Sequence, residues 1–279
     1  MKKILLPTDF SKNSWNAILY ALEFFKKDTC NFYLLHVSSV SNYANGFTPV
    51  LSTNENSTAD VLAETTTALQ QLVTKIKGLP ANNKHHFFTL ASTGPFIEAI
   101  RDKILENDIE LIVTGTKGAN GIKKIIVGSN TGDIITKVKC HVLVVPEKAI
   151  FKIPKEIAFP TDYNLFYQSK ILHSITEVAS IFNGCIRIVH VAKRDEELTA
   201  YQKENKTYLN DFFAGKRYGF YKVTNKKIEA GVQCFVESRN IDLIIMIAKN
   251  LNLFQQILFK PTVEEISYHT EIPFLVLHE

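Results

Sequence analysis

The feature that most constrains the fold of this chain is an internal repeat. Four segments of the first half recur in the same order in the second half: KILLPTDF at 3–10 as EIAFPTDY at 156–163, His36-Val37 as His190-Val191, DIELIV at 108–113 as NIDLII at 240–245, and HVLVV at 141–145 as PFLVL at 273–277. The offset is 153 or 154 for the first two pairs and 132 for the last two. The second copy is therefore 22 residues shorter in its middle, and the polar stretch at 39–58 is the segment that we expect it to lack.

The length agrees with two copies of one domain. A chain of 279 residues predicts two domains at about 100–200 residues each. We place the first domain at 1–148 and the second at 149–279. Hydrophobic residues make up 46% of the chain and charged residues 22%, values typical of folded domains that each bury a core.

Composition also argues against several functions. A net charge of +4 with scattered lysines predicts no nucleic-acid partner. The apolar run near the N-terminus stops at Pro7, and no run reaches the length of a membrane span, so we expect no membrane partner and a cytoplasmic protein. Four widely spaced cysteines match neither a zinc motif nor a disulfide framework and suggest reduced thiols.

Each copy reads as alternating strands and helices. Short apolar strands separated by segments of helical period predict an α/β fold, with two tandem doubly wound domains, each built on a five-stranded parallel sheet. Ligands of such sheets bind beyond the carboxyl ends of the strands, where the strand order reverses. In the first copy polar or glycine-rich residues follow three strands there: Thr8-Asp9, Val37-Ser38 and the loop from Gly115 to Gly128.

The loop of the first copy has the chemistry of a phosphate site. It contains Gly115, Gly118, Gly121 and Gly128, which permit close approach of a ligand to the backbone. The residues that follow, 129–131, open a helix whose free N–H groups and positive dipole end suit an anion. The loop is neither a Walker A loop nor the G-x-G-x-x-G fingerprint. On the glycines alone, a plain strand–loop–helix connection remains an equal alternative.

The spacing G-x-x-G-x9-G-[ST], formed here by Gly115, Gly118, Gly128 and Ser129, resembles the ATP-binding signature of the universal stress protein family. The start Pro7-Thr8-Asp9-Phe10-Ser11, the pair His36-Val37 and the segment HVLVVP at 141–146 are also similar to that family. The resemblance covers the first half fully and the second half more weakly. It implies a Rossmann-like fold of the adenine nucleotide α-hydrolase type.

The resemblance also implies a bound adenine nucleotide, ATP or a relative, with or without Mg²⁺. Pro7, Thr8, Asp9 and Val37 would contact adenine and ribose, and the remaining residues would line the ribose and phosphates: Thr114, Gly115, Lys117, Gly118, Gly128, Ser129, Asn130 and Thr131. For Asp9 a simpler role remains open, because a carboxylate before Ser11 also caps a helix.

The second copy departs from this pattern. At the positions of Gly115, Gly118, Gly128, Ser129 and Thr131 it carries Ile247, Asn250, Lys260, Pro261 and Val263. Proline has no N–H to offer, and a β-branched residue does not readily take a glycine conformation. We therefore expect one nucleotide per chain, in the first domain.

The sequence favours a sensor or regulator of the stress response over a fast enzyme, because no catalytic base and no metal-binding carboxylates stand near the loop. We name no catalytic and no metal-ligating residue. Slow ATP hydrolysis and a partner-binding scaffold with a vestigial loop remain alternatives. An adenylate-forming enzyme is disfavoured, since an S-G-G-x-D-S loop is missing after the first strand. We expect the two halves to form an internal pseudo-dimer through their last strands, and a homodimer of chains is also compatible with the sequence.

Overall fold

In the computed structural model of this protein, one continuous sheet runs through both halves of the chain. The structure describes residues 1–38, 58–116, 129–194, 196–249 and 271–279. The strands are β1 Lys2–Pro7, β2 Cys30–Ser38, β3 His85–Thr93, β4 Leu111–Gly115, β5 His141–Val145, β6 Glu156–Pro160, β7 Cys185–Ala192, β8 Tyr218–Thr224, β9 Leu243–Ile247 and β10 Phe274–Leu277. The helices are α1 Lys12–Phe24, α2 Thr58–Lys77, α3 Phe96–Asn107, α4 Ser129–Lys137, α5 Ser169–Phe182, α6 Ala200–Phe213 and α7 Ile228–Ser238.

The strand order is β3-β2-β1-β4-β5-β10-β9-β6-β7-β8, which is two five-stranded units of identical order placed end to end. All pairs within a unit are parallel. The continuous apolar strands are buried from both sides, as expected for a parallel sheet covered by helices on its two faces. The predicted pair of doubly wound α/β units is confirmed.

The helices divide between the two faces of the sheet. α1, α2, α5 and α6 pack on one face, for example through Ile18 and Leu172. α3, α4 and α7 pack on the other, for example through Ile134 and Val232. Within each unit the chain therefore crosses from one face to the other after its third strand. This crossing creates the reversal of strand order at the boundary of β1 and β4, and at that of β6 and β9.

The two units meet at an antiparallel seam between β5 and β10. Val142 lies opposite Val276, and Val144 lies opposite Phe274, and all four side chains are buried. Each of these strands would be an exposed edge if its unit stood alone, and pairing removes both edges. The arrangement fits the internal pseudo-dimer that the sequence predicts.

Further contacts join the units on the face of α1 and α5. The rings of Phe24 and Phe182 lie 4.8 Å apart, edge to face, and Phe151 of the connecting segment packs against Phe24 and Tyr20. Lys2 and Glu177 form an ion pair of 2.8 Å. The segment between β5 and β6, which includes the predicted domain boundary at residue 148, is thus held against both units.

The shorter middle of the second copy lies between its second and third strands, as the offsets require. The shortening is shared between elements, however: α2 has 20 residues and α6 has 14, in addition to the different lengths of the connections at 39–57 and 193–199. The sequence interpretation that placed the loss in 39–58 alone is therefore too narrow. The structure of 39–57 itself lies outside the described residues.

Candidate functional site at the carboxyl edge of the first half

The reversal of strand order brings the ends of β1 and β4 side by side. Ile4 and Leu5 of β1 pair with Leu111 and Ile112 of β4, so the residues just past β1 lie beside Gly115. A crevice at this position is where open α/β sheets bind their ligands. Two of the predicted stretches, Thr8-Asp9 and Thr114-Gly115, are brought together there.

Thr8 is buried and tied into the framework of the crevice. Its N–H donates to the Leu35 carbonyl at 2.8 Å, and its own carbonyl is 2.7 Å from Nδ1 of His36. Its hydroxyl accepts from the Phe10 N–H at 3.0 Å and lies 3.1 Å from the Ser14 hydroxyl. Thr8 therefore fixes the turn between β1 and α1, and the next residue, Asp9, is the first whose side chain reaches the mouth of the crevice.

Asp9 supports the residue that caps α1, whereas the sequence left open that Asp9 itself caps this helix. Its Oδ1 accepts from the Ser11 N–H at 3.1 Å, while Ser11 itself is the N-cap of α1 and accepts from the Ser14 N–H. The carboxylate is partly exposed at the carboxyl end of β1. A carboxylate held in this way remains compatible with accepting hydrogen bonds from sugar hydroxyls.

Val37 stands at the other side of the crevice, near the end of β2. Leu35 accepts from Thr8, so its backbone groups face β1. On a parallel strand, the backbone groups of residues two apart point to the same side, so the N–H and C=O of Val37 point in the same direction as those of Leu35. Because β1 ends at Pro7, opposite Leu35, the backbone groups of Val37 point into the space beyond the end of β1. This direction suits backbone contacts to a flat heterocycle, the role expected for Val37.

Gly115 requires glycine for a reason that the sequence did not reveal. A Cβ at this position would lie 2.6 Å from Nδ2 of Asn13, a buried side chain at the start of α1. Real Cβ atoms do not approach so closely, so packing against α1 by itself disfavours a larger residue here. The neighbouring Thr114 is buried, and its hydroxyl lies 3.4 Å from the Gly115 carbonyl.

The start of α4 is attached to the same point. The buried hydroxyl of Thr131 donates to the Gly115 carbonyl at 2.7 Å, which places the first turn of α4 at the end of β4. Thr131 thus positions the helix instead of presenting its hydroxyl proton to the crevice. Ser129 is the first residue of α4, Asn130 is exposed, and no acidic residue stands in the first turn.

Three predicted site residues, Lys117, Gly118 and Gly128, lie outside the described residues, as does Gly121. Within the described ranges, no group of three His, Cys, Asp or Glu side chains is placed to hold a metal ion. In the same part of the chain, no helix is long and apolar enough to cross a membrane.

The second half repeats three hydrogen bonds of the framework of the first crevice. His190 places Nδ1 2.9 Å from the Thr161 carbonyl, Thr161 donates its N–H to Val189, and Asp162 accepts from the Asn164 N–H at 3.0 Å. Phe10 and Tyr163 occupy equivalent positions with φ of 61° and 59°, and each ring lies about 5 Å from the equivalent histidine. Each of the two repeated histidines therefore has the same structural contact, to the threonine carbonyl at the end of the first strand of its unit.

The second crevice differs because side chains of its own half fill it. Tyr163 is 2% exposed, whereas its counterpart Phe10 is 42% exposed. From α6, Asn205 donates to the Tyr163 carbonyl at 2.8 Å and Gln202 donates to the Asp162 carbonyl at 2.8 Å. The crevice framework of the second half is thus covered by its own helix.

Tyr167 adds to this closure from the other side. Its hydroxyl bonds to Thr161, in the place where the first half has the much smaller Ser14. Burial raises the pKa of both Tyr163 and Tyr167, so these phenols stay neutral. Ile247, at the position of Gly115, is buried as well. Residues 250–270, which contain the other expected replacements, lie outside the described residues.

Asn13 is the residue of the site that sequence reasoning missed. Asparagine in the first turn of a helix is common, and its contact with Gly115 joins residues 102 positions apart. The sequence did contain one signal: Asn13 and Gly115 of the first copy are both replaced in the second copy, by Phe166 and Ile247.

Two units of strand order 3-2-1-4-5, joined through their fifth strands and each with a crevice at the strand-order reversal, define a tandem Rossmann-like α/β protein. A model of the universal stress protein family matches residues 1–146. The chain belongs to the universal stress protein family.

Similar proteins of known structure or described sequence are also universal stress proteins. A universal stress protein of Methanocaldococcus jannaschii is 28% identical over 148 residues, which cover 52% of this chain and 81% of the relative. The crystal structure of a universal stress protein from Archaeoglobus fulgidus covers 99% of this chain and 98% of its own, with a TM-score of 0.72 and 19% identity. The structure of a putative universal stress protein from Pseudomonas aeruginosa matches 99% of this chain and 93% of the Pseudomonas chain, with a TM-score of 0.60 and 13% identity. The last two likenesses concern the whole tandem fold.

Proposed function

We propose that the first half binds one adenine nucleotide and that the chain acts as a cytoplasmic sensor or regulator of the stress response. The observation that carries the proposal is the hydrogen bond from Thr131 to the Gly115 carbonyl. This bond brings the N-terminus of α4 to the end of β4, beside Asp9 at the end of β1. An anion-binding helix terminus and a carboxylate for a ribose then flank one crevice.

The roles of the residues follow from this geometry. The backbone of Val37 and of Pro7-Thr8 lines the adenine side, and Asp9 accepts from ribose hydroxyls. The N–H groups of Ser129 and Asn130 and the hydroxyl of Ser129 would donate to the phosphates, and Lys117, Gly118 and Gly128 would complete the loop. Thr114, Gly115 and Thr131 hold these elements in place, and their contacts to one another support this role. An Mg²⁺ ion would be bound by phosphate oxygens and water, because Mg²⁺ at nucleotides keeps much of its hydration.

We further propose that the domains divide at residues 148 and 149 and that the second domain binds no nucleotide. The support is that Tyr163, Tyr167 and α6 fill the second crevice, whereas Phe10 is exposed at the first. Binding in the first domain would be regulatory, with turnover slow at most, since hydrolysis needs a base positioned to activate water.

Nucleotide released from purified protein tests the proposal directly. We expect heat or acid denaturation of freshly purified protein to release an adenine nucleotide, and calorimetric titration of the emptied protein to give one site per chain. Ser129→Ala should lower the affinity about 10- to 150-fold through loss of one charge-assisted hydrogen bond. Absence of any nucleotide, together with no heat of binding for AMP, ADP or ATP, would favour the scaffold alternative.

A further inference from the structure

The outer strand of the first half, β3, has an edge without the usual protection against pairing. Among the described residues its one strand neighbour is β2, so the nine residues His85–Thr93 present their other side outward. Edge strands are normally protected by charged residues, proline or bulges. β3 contains no Lys, Arg, Asp, Glu, Pro or Gly between His85 and Thr93.

The direction of the backbone groups of β3 follows from one hydrogen bond. The Lys84 carbonyl accepts from the Cys30 N–H, so even-numbered residues of β3 bond to β2. The N–H and C=O groups of Phe87, Thr89 and Ala91 therefore point outward. Thr89 is the middle residue of the strand.

A groove of about 510 Å³ runs beside this edge. It is lined on the sheet side by Phe87, Phe88 and Thr89 and on the helix side by Gln70, Val73, Thr74 and Lys77 of α2. The four α2 residues have the spacing i, i+3, i+4, i+7 and so form one stripe of the helix. On the opposite face of the sheet, Phe88 stacks on Tyr33 at 5.1 Å and is still 44% exposed.

We propose that this edge pairs with β3 of a second copy of the chain in an antiparallel, two-fold symmetric manner centred on Thr89. In that register Phe87 faces Ala91 of the second copy, and Thr89 faces Thr89 of the second copy. Phe88 then lies beside Leu90 of the second copy on one face, which covers the exposed ring. The pairing extends the ten-stranded sheet across two chains.

Charge and shape favour a second copy as the occupant. Antiparallel pairing sets the basic end of β3, near Lys84 and His86, against the neutral end near Ser92 of the other chain. Each α2 stripe carries one charged residue, Lys77, and the two-fold axis runs the two stripes in opposite directions. Because α2 packs over both β2 and β3, the axes of two such helices can reach the usual packing distance of about 8–10 Å.

The other outer strand, β8, is the matched comparison. The Arg217 carbonyl accepts from the Ile186 N–H, so the odd-numbered residues of β8 face β7, and Lys222, one residue past the middle of the strand, points its backbone groups outward. Self-pairing of β8 about its outward-facing residue Lys222, the register equivalent to that of Thr89, would bring a lysine against a lysine, which is unfavourable. The two edges are thus alike in backbone and different in charge.

The strand pair would be about 30 Å long for nine residues. With one helix stripe beside it, this is a small interface, and we expect a dissociation constant on the order of 10 μM. Sedimentation velocity of the full chain, from about 1 to about 200 μM, should therefore show a concentration-dependent passage from monomer to dimer.

Two variants separate this surface from other causes of dimerisation. Thr89→Pro removes an outward N–H on both copies and leaves the bonds of β3 to β2 intact, so the dissociation constant should rise at least about tenfold. Lys222→Pro removes the equivalent outward N–H from the β8 edge and should leave the dissociation constant of the dimer unchanged. Circular dichroism of both variants shows whether each is folded.

A cross-link keeps the proposal testable if the proline variant does not fold. In a Cys234→Ser background, Thr89→Cys should form an interchain disulfide under mild oxidation. The two Cα atoms of a hydrogen-bonded antiparallel pair lie about 5.5 Å apart, within disulfide range. Lys222→Cys in the same background should form no interchain disulfide.

The contrary results are equally definite. A chain that remains monomeric at the highest concentration would overturn the proposal and leave the edge for an extended segment of another protein. A dimer that Thr89→Pro does not weaken, or that Lys222→Pro weakens equally, would overturn it as well. So would equal cross-linking of the two cysteine variants.

Discussion

Leu143 of β5 lies directly opposite Leu275 of β10, which is its own counterpart in the second half of the chain. Both side chains are buried, and the residues on either side pair in a two-fold manner around them. The local two-fold axis of the protein therefore passes between these two leucines. The seam is the interface of a symmetric dimer, made within one chain.

The symmetric position of the two leucines predicts matched energetics. Leu143→Ala and Leu275→Ala should each lower the free energy of unfolding by about 2–5 kcal/mol. Because the two side chains share one contact, the double variant should differ from the sum of the single variants by at least about 0.5 kcal/mol. Urea denaturation of the three variants checks this. Strict additivity would mean that the two leucines do not pack together.

Asp9 and Asp162 provide a matched test of the asymmetry between the crevices. Each carboxylate accepts a backbone N–H two residues later, at 3.1 and 3.0 Å, so both alanine variants lose the same local contact. We expect only Asp9→Ala to weaken nucleotide binding, by about 10- to 150-fold, because Tyr163, Tyr167 and α6 cover the framework of the second crevice. Calorimetry with AMP, ADP and ATP measures the effect.

A loss of affinity in Asp162→Ala as large as that in Asp9→Ala would contradict the assignment of one site to the first half. A stoichiometry near two would do the same. Thermal unfolding of the two variants is the control, since equal shifts show that the folded state has lost equivalent contacts.

Gly115 and Asn13 should be coupled through their close approach. Gly115→Ala places a Cβ 2.6 Å from Asn13 Nδ2 and should cost about 1–3 kcal/mol of stability. Removing the carboxamide with Asn13→Ala makes room, so the double variant should be more stable than the two single effects predict. The measurement is chemical denaturation of all three proteins. Equal costs of Gly115→Ala in both backgrounds would place the origin of the strain elsewhere.

The histidines beside the seam predict a loss of stability in acid. Burial, with a smaller effect of His141, lowers the pKa of His278 to about 4, and burial together with nearby Lys170 lowers the pKa of His141. An unfolded histidine has a pKa of roughly 6.5. Between these values the unfolded state binds more protons than the folded state, so the free energy of unfolding falls as the pH falls.

Thermal unfolding measured from about pH 7.5 down to about pH 5 should therefore show a falling Tm below roughly pH 6.5. His278→Gln should flatten this dependence, because it removes one of the two groups. His86→Gln, on the exposed side of β3, is the control and should leave the slope as it is. A wild-type Tm that stays constant through this range would contradict the prediction.

The fold was predictable from the sequence because apolar periodicity and the repeat report directly on burial. The repeated segments, the segments of helical period and the polar residues after strands all mark elements that the structure contains. The meeting of Thr8-Asp9 with Thr114-Gly115 was predictable for the same reason, since the carboxyl ends of β1 and β4 lie side by side at the reversal of strand order.

What the sequence left out depends on contacts between distant residues. The need for glycine at 115 comes from Asn13, and the hydroxyl of Thr131 is directed to a carbonyl of β4. The closure of the second crevice by α6 and Tyr167 likewise has no local signal, because Tyr167 reads as one more aromatic residue in an apolar run. Such features appear only when the packing is known.

The antiparallel seam also bears on how such a chain can evolve. In a dimer of identical subunits every substitution occurs twice, so a change that closes one crevice closes both. Here the second half of the chain, which lies across the axis at Leu143 and Leu275, has its own sequence. Equivalent positions can therefore change independently, as Phe10 and Tyr163 have, and likewise Ser14 and Tyr167. Joining the two copies in one polypeptide therefore releases the second half from the constraints on the first, while the dimer architecture that both need is kept.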